Sequence, residues 1–210
     1  PYASNMPALQ LDPLVPARHL SAAIQIPTVS HADAAEDRPE LFDALHRLLQ
    51  ESYPRLHSRL SLEVLPGGSL LYTWPGSSPE LEPVLFMAHQ DVVPADEHTL
   101  SKWTYPPFSG AIEEGFIWGR GSMDIKCQLI AVMEAVENLL AQDFQPCRTI
   151  ILAFSHDEEV LGMGARVIVN QLKEKGIRLA AVIDEGTSIL DGVLPGFKGY
   201  TAPIAVTEKG

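Results

Sequence analysis

Six residues spread through the middle of the chain, His89, Asp91, Asp124, Glu158, Glu159 and Asp184, have the types and placement of one metal site. His89 and Asp91 follow the apolar run Val84-Leu85-Phe86-Met87-Ala88, and Asp124 follows Gly119-Arg120-Gly121-Ser122-Met123. The pair Glu158-Glu159 comes after Ile150-Ile151-Leu152-Ala153-Phe154, and Asp184 comes after Ala181-Val182-Ile183. In an open α/β sheet, ligands collect at the carboxyl ends of the strands. Five carboxylates brought together there repel one another unless divalent cations neutralise them. One imidazole with several carboxylates suits zinc or a similar divalent ion.

Each motif also has a plainer reading. In His89-Gln90-Asp91 the two outer side chains lie on one side of an extended chain. Either they merely end a strand, or His89 binds metal through one ring nitrogen while Asp91 accepts the other N–H. Asp124 opens a helix, where an aspartate is commonly a cap; as a ligand it could offer one oxygen to each of two cations, with Gly119 and Gly121 supplying the tight turn. Ser155-His156-Asp157-Glu158-Glu159 is either a solvated loop or an acidic turn pinned by Gly162 and Gly164. In the second case one glutamate binds metal and its neighbour stays free as a general base. His156 is expected to be structural or to lie behind the ligands. Asp184 is the expected ligand after its strand, with Glu185 a less favoured substitute. The other five histidines, His19, His31, His46, His57 and His98, read as structural or surface residues.

These residues must be held by the rest of a chain of 210 residues, enough for one good core and a small second unit. Hydrophobic residues make up 46%, an ordinary globular share, so disorder is not the expectation. The formal net charge is -12, and the 15 lysines and arginines never form a dense run. That balance argues against nucleic acid or an anionic membrane as partner, since phosphate binding needs clustered cations. No apolar run approaches the roughly 18 residues of a membrane-spanning helix. The opening Pro1-Tyr2-Ala3-Ser4-Asn5-Met6 has neither an initiator methionine nor the pattern of a signal peptide, so the chain is expected to be cut from something longer. Cys127 and Cys147 show no CxxC pairing and are expected to be buried free thiols.

The elements alternate in a way that suits the site. Residues 1–15 are Pro-rich and expected to be extended; a helix is expected over Ala17 to Ile26, ended by Pro27. Leu41, Phe42, Leu45, Leu48 and Leu49 recur at helical spacing up to about Tyr53. Two strands, Leu60 to Leu65 and Leu70 to Trp74, flank the turn Pro66-Gly67-Gly68. Between Val92 and Gly119 the chain reads as loop, with one strand over Phe116-Ile117-Trp118. A helix beginning near Asp124 carries Ile125, Leu129, Val132, Met133, Val136, Leu139 and Leu140 on one broad face. A strand at 148–154, a helix at 164–175 and a strand at 179–183 follow; Gly186 to Tyr200 reads as loop and Pro203-Ile204-Ala205-Val206 as a last strand. The alternation argues an α/β fold with a mostly parallel central sheet flanked by helices.

The segment Phe86 to Ala95 resembles the metal-binding signature of the M20 metallopeptidases. Trp103, Pro106-Pro107-Phe108-Ser109-Gly110, Gly115, Trp118-Gly119-Arg120-Gly121, Asp124 and Lys126 are similar to the family's second block. Ser155, Asp157-Glu158-Glu159, Gly162 and Gly164-Ala165 are similar to its third. The resemblance runs in consistent order from about Leu14 to Gly210, with the flavour of the carboxypeptidase S-like branch that includes N-acyl-amino-acid hydrolases.

That resemblance implies a zinc-exopeptidase-like three-layer sandwich and two zinc ions. One zinc would be held by His89, Asp124 and Asp184, the other by Asp124 and Glu159, with Asp124 bridging; Glu158 would be the general base and Asp91 the partner of His89. The substrate would be a peptide or an N-acyl amino acid. Where many members have Asp-Asp-Lys-Gly, this chain has Asp124-Ile125-Lys126-Cys127. Family members continue into a lid domain that supports homodimerisation, then return with a second zinc-binding histidine. Residues 16–210 are therefore expected to be the N-terminal part of a catalytic domain, inactive alone. Two rival readings remain: a metal-dependent deacylase of small metabolites, and a catalytically inactive binding protein on the same scaffold.

Overall fold

Burial on both faces requires a strand to be apolar along its whole length, and one strand of this chain meets that requirement. In a computed structural model, which describes residues 12–186, 190–192 and 195–201, the run Ile150–Ser155 is buried or nearly so at every position. It lies at the centre of a five-stranded sheet.

Along the chain, α1 (Leu14–Ile24), α2 (Pro39–Ser52) and the short α3 (Pro54–Arg59) precede β1 (Ser61–Val64), β2 (Leu70–Trp74) and β3 (Val84–His89). A hairpin of β4 (Ala111–Glu113) and β5 (Phe116–Trp118) leads to α4 (Lys126–Ala141). Then come β6 (Ile150–Ser155), α5 (Gly164–Glu174) and β7 (Ala181–Ile183), and finally a two-stranded pair, β8 (Leu190–Asp191) and β9 (Tyr200–Thr201). The sheet order is β1-β2-β6-β3-β7. Strands β6, β3 and β7 pair in parallel, while β2 is antiparallel to both β1 and β6. Four of the five strands therefore run one way, a mostly parallel sheet flanked by helices.

Period-2 alternation divides the sheet's side chains between two cores. Leu70, Tyr72, Trp74, Ala88, Leu152 and Phe154 pack with α1, α2, α3 and α4. Leu71, Leu85, Ile151 and Ala153 point the other way, against Ile168 and Leu172 of α5. The result is three layers.

Several elements depart from the sequence expectations. α1 begins at Leu14, earlier than Ala17, because Pro13 and Pro16 fall where a helix tolerates proline and the Asp12 carboxylate accepts the Leu14 N–H at 3.0 Å. α3 was not expected. Pro54 at its first position is the local signal, but its cap comes from afar: Glu137 on α4 accepts the N–H groups of Arg55 at 3.2 Å and Leu56 at 2.8 Å. The stretch 92–119 holds an additional 3-10 turn at Glu97–Lys102 and strand β4. Cys127 is half-buried, and Cys147 is exposed rather than buried, lying in the connection before β6; neither is in a disulfide. Pro203-Ile204-Ala205-Val206 lies outside the described residues, as does the larger part of 1–15. Among the described residues, no helix is long and apolar enough to cross a membrane.

Replacing Glu137 with Ala should leave two α3 N–H groups without a partner inside the fold and cost about 1–2 kcal/mol. Urea unfolding of the variant beside wild type, with Glu51→Ala on an exposed position of α2 as control, measures it.

Candidate metal centre

Three neighbouring parallel strands deliver the site. His89 ends β3 directly opposite Ser155, the last residue of β6, and β7 pairs on the other side of β3 with Ile183 opposite Phe86. The residues that follow these strands, Gln90-Asp91, His156 to Glu159 and Asp184-Glu185, thus emerge side by side at one end of the sheet.

Asp124 reaches the same place by a different route. Gly119 and Gly121 have φ of 151° and 86°, and a Cβ on Gly121 would stand 2.8 Å from Val92 Cγ1. Both glycines are needed for the turn that sequence reading assigned to them. Behind the turn, the buried Lys126 ammonium donates to the carbonyls of Ala23 at 2.9 Å and Ile26 at 2.7 Å, at the C-terminal end of α1. Carbonyls at a helix C-terminus are a favourable seat for a cation. Burial lowers the Lys126 pKa to about 7, against an opposing pull from Asp91.

Asp91 organises the centre. Its carboxylate is fully buried and accepts from Ser30 Oγ at 2.6 Å, from the Glu158 N–H at 3.1 Å and from the Glu159 N–H at 3.1 Å. His89 Nδ1 lies 3.2 Å from its Oδ1 and 3.0 Å from its backbone carbonyl. Two acceptors around Nδ1 place the ring proton there and leave Nε2 for a cation. Nε2 faces Asp124 Oδ1 at 3.2 Å and Glu158 Oε2 at 3.8 Å. A second carboxylate secures the other end of the acidic turn: Asp157 accepts the N–H groups of Met163 and Gly164, each at 2.7 Å. A Cβ on Gly162 would stand 2.0 Å from Asp157 Oδ2, so glycine is required there by close approach.

The electrostatics match a cation site. Burial alone would depress the His89 pKa, but hydrogen bonding to Asp91, the Asp91 charge and Glu158 carry it up to about 9. Burial would raise the Asp91 carboxyl, yet the bonds from His89, Ser30 and the Glu159 N–H hold it below its ordinary value. Glu159 is pushed up by burial and by the charge of Asp124. Glu185 is also pushed up, by burial and then by Glu158, Asp124 and Asp184, against an opposing pull from His89. Crowded carboxylates of this kind are relieved by a divalent ion.

Donor atoms of His89, Asp124 and Glu185 all lie within 4.8 Å of one another. Asp184 is not in that group; its carboxylate instead accepts the following N–H, of Glu185, at 2.9 Å. Successive residues on an extended chain point to opposite sides, so the step after β7 presents one of the two acids at a time. His156 bonds Ser69 Oγ at 2.8 Å and sits 3.3 Å from Asp157, a structural role as expected. Of the other histidines, His19 meets Glu134 at 2.5 Å, His46 meets Gln90 at 2.6 Å and His57 meets the Tyr72 hydroxyl at 3.1 Å.

Sequence reasoning missed Ser30, which has no local signal. It reaches Asp91 through an isolated parallel bridge between Val29 and Val92. It also missed Gln90, fully buried, whose amide donates to the Gly68 and Phe154 carbonyls at 3.1 and 2.9 Å. Gln90's place between two residues that face the site was the available clue, since it must then point into the fold.

A mostly parallel α/β sheet thus brings a histidine and acids together at its strand ends, as candidate donors to a metal. The sequence profile of Peptidase family M20/M25/M40 matches residues 85–199, and the chain belongs to that family. It is 44% identical over 183 residues to carboxypeptidase S of Saccharomyces cerevisiae, covering 82% of this chain and 32% of that protein. It is 42% identical over 194 residues to the mouse N-fatty-acyl-amino acid synthase/hydrolase PM20D1, covering 91% of this chain and 38% of that protein. The chain thus spans about a third of the length of these relatives. Among solved structures, an M20 family metallo-carboxypeptidase from Sulfolobus solfataricus superposes with a TM-score of 0.66 at 23% identity, over 83% of this chain and 38% of that one. Human carnosine dipeptidase 1 superposes with a TM-score of 0.65 at 22% identity, over 83% and 39%. These two likenesses carry the fold.

Asp91→Asn should weaken metal binding by about 10–100-fold, because the partner that orients a ligating histidine is lost. Zinc titration against a competing chelator reads this directly. In the metal-free chain, a folded His89 pKa near 9 against an unfolded value of about 6.5 gives stabilisation that is complete below pH 6.5 and lost as pH rises through 9. Urea unfolding in EDTA should therefore show stability declining over that window, with a shallower decline in His89→Asn. Equal slopes in the two proteins would remove His89 as its source.

Proposed function

We propose that this chain carries the metal-binding half of the active site of a dizinc hydrolase that cleaves the amide bond of peptides or N-acyl amino acids. The observation that supports it best is the convergence of His89 and Asp124 with a carboxylate of the 184–185 step, while Glu158 stands 3.8 Å from His89 Nε2. The substrate class follows the names of the relatives, a carboxypeptidase and an N-fatty-acyl-amino acid hydrolase.

In this reading His89, Asp124 and Asp184 hold one zinc, and Asp124 and Glu159 begin the second site. Glu185 is the competing donor to Asp184, since its carboxylate is the nearer one. Bound zinc supplies Lewis acidity and a water whose pKa is lowered towards neutrality. Asp91 keeps the proton on His89 Nδ1 and the ring aimed at the cation. The same carboxylate, through the Glu158 and Glu159 N–H groups, holds the acidic turn at the strand end. Glu158 takes a proton from the attacking water and delivers it to the leaving nitrogen. Its side chain is 44% exposed, which leaves it open to substrate.

Elemental analysis after dialysis tests the ligands. Asp124→Ala should lose all zinc, and Glu159→Ala should keep one ion. Asp184→Asn should lose the first zinc and Glu185→Gln should keep it; the reverse pattern would transfer the ligand role to Glu185. For the chemistry, Glu158→Gln in the protein at the full length of these relatives should retain zinc and lose about 10²–10⁴-fold in kcat on an N-acyl amino acid. Unchanged kcat would remove Glu158 as the base.

A further inference from the structure

Beside the metal centre, the excursion that carries Asp124 also walls a cavity of about 430 Å³ that none of the proposed chemistry uses. Trp103 and Tyr105 line it together with Phe116, Ile117 and Trp118 of β5. The volume falls in the range of small-molecule sites, which are typically apolar with a few polar groups at the rim.

Its walls are held in place. Tyr105 and Trp118 pack with ring centroids 5.3 Å apart, and Phe116 and Trp118 meet edge-on at 5.9 Å. Trp118 Nε1 donates to the Glu113 carbonyl at 3.0 Å, and the Arg120 guanidinium lies over the Trp103 ring at 5.5 Å. Among the described residues, no acid lines this cavity and Lys102 is its one charged wall residue, in a chain with 27 acidic residues. Phe116 nevertheless remains 66% exposed at the rim.

The cavity adjoins the metal centre through the backbone. Ser122 lines it, and Asp124 is two residues further on, so their Cα atoms are at most about 7 Å apart. Met123, between them, is 73% exposed. The exposed Met123 side chain thus lies in the chain between the cavity wall and Asp124. Exposed apolar surface of this kind beside a reactive centre marks a place for an apolar ligand group.

We propose that this cavity seats the apolar acyl group of the substrate, with the scissile amide held over Asp124, so that Phe116, Trp118 and Met123 set the preference for acyl length. This rests on the amide-hydrolase reading above. With no acid among the described wall residues, no carboxylate has to be desolvated when a hydrocarbon chain enters. Lys102 at the wall suits an anionic amphiphile better than a cationic one.

The test compares N-decanoylglycine, below its micelle concentration, with N-acetylglycine on the intact protein. Binding is measured by calorimetry in EDTA, and hydrolysis separately on the zinc-loaded enzyme. The decanoyl compound should bind at least tenfold more tightly. Phe116→Ala, at a position exposed enough to leave folding intact, should reduce that advantage at least fivefold in binding and in kcat/KM. The ratio of decanoyl to acetyl kcat/KM should fall, and the decanoyl loss should fall mainly on KM. Equal binding of the two ligands, or an acyl-length preference untouched by both Phe116→Ala and Met123→Ser, would overturn the proposal. Decanoyl binding without hydrolysis of either compound would support the cavity and sink the amide-hydrolase reading instead.

Discussion

A carboxylate buried without solvent is costly unless its lone pairs are met, and the Asp91 carboxylate is met from three segments far apart in sequence. Ser30 donates from the loop after α1, His89 from the end of β3, and the Glu158 and Glu159 N–H groups from the turn after β6. One side chain thereby orients the imidazole and anchors the acidic turn at the correct strand end. The bonds from its donors outweigh its burial and keep it charged, and the charge in turn holds a proton on His89. Without it the imidazole tautomer and the position of Glu158 would both be loose.

The same compactness concentrates negative charge. Glu159 and Glu185 are pushed above the ordinary carboxylate range by burial and by their acidic neighbours, a strain that the surrounding packing sustains. One cation within the protein offsets part of this: the protonated His89 pulls both back down. A fold that keeps such a cluster at its strand ends gives up some stability to hold these acids together.

The β4–β5 excursion links two aspects of the site that are usually discussed apart. It lies outside the main sheet, packs on α1 through Gly110 against Ser21 and Gly119 against Ile24, and ends in the turn that presents Asp124. Its outer side is aromatic and partly open. Any change in how this hairpin sits on α1 moves Asp124 and the cavity wall together. Placing Asp124 and an apolar wall on one element ties the distance between them to that hairpin's seat on α1.

Most of the framework was legible in the residues. Apolar runs followed by His or acid marked the ends of β3, β6 and β7; in β6 burial on both faces requires the run, whereas β7 is exposed along its length. The helical spacing in α2, α4 and α5, and the glycines around Asp124, read correctly for equally local reasons. What sequence could not decide depended on contacts between distant segments. Pro54 was the one local mark of α3, which was not expected, and the Glu137 cap that completes the helix comes from 82 residues beyond Arg55. Ser30 meets Asp91 across 61 residues, and nothing in its own neighbourhood marks it. Which of Asp184 and Glu185 faces His89 depends on the turn after a short edge strand. The sequence determined the order of elements and the chemical types at their ends, because periodicity and turn chemistry are local. The tertiary structure decided which side chains share a proton, a cap or a cation, because those choices depend on distances that only the packed chain defines.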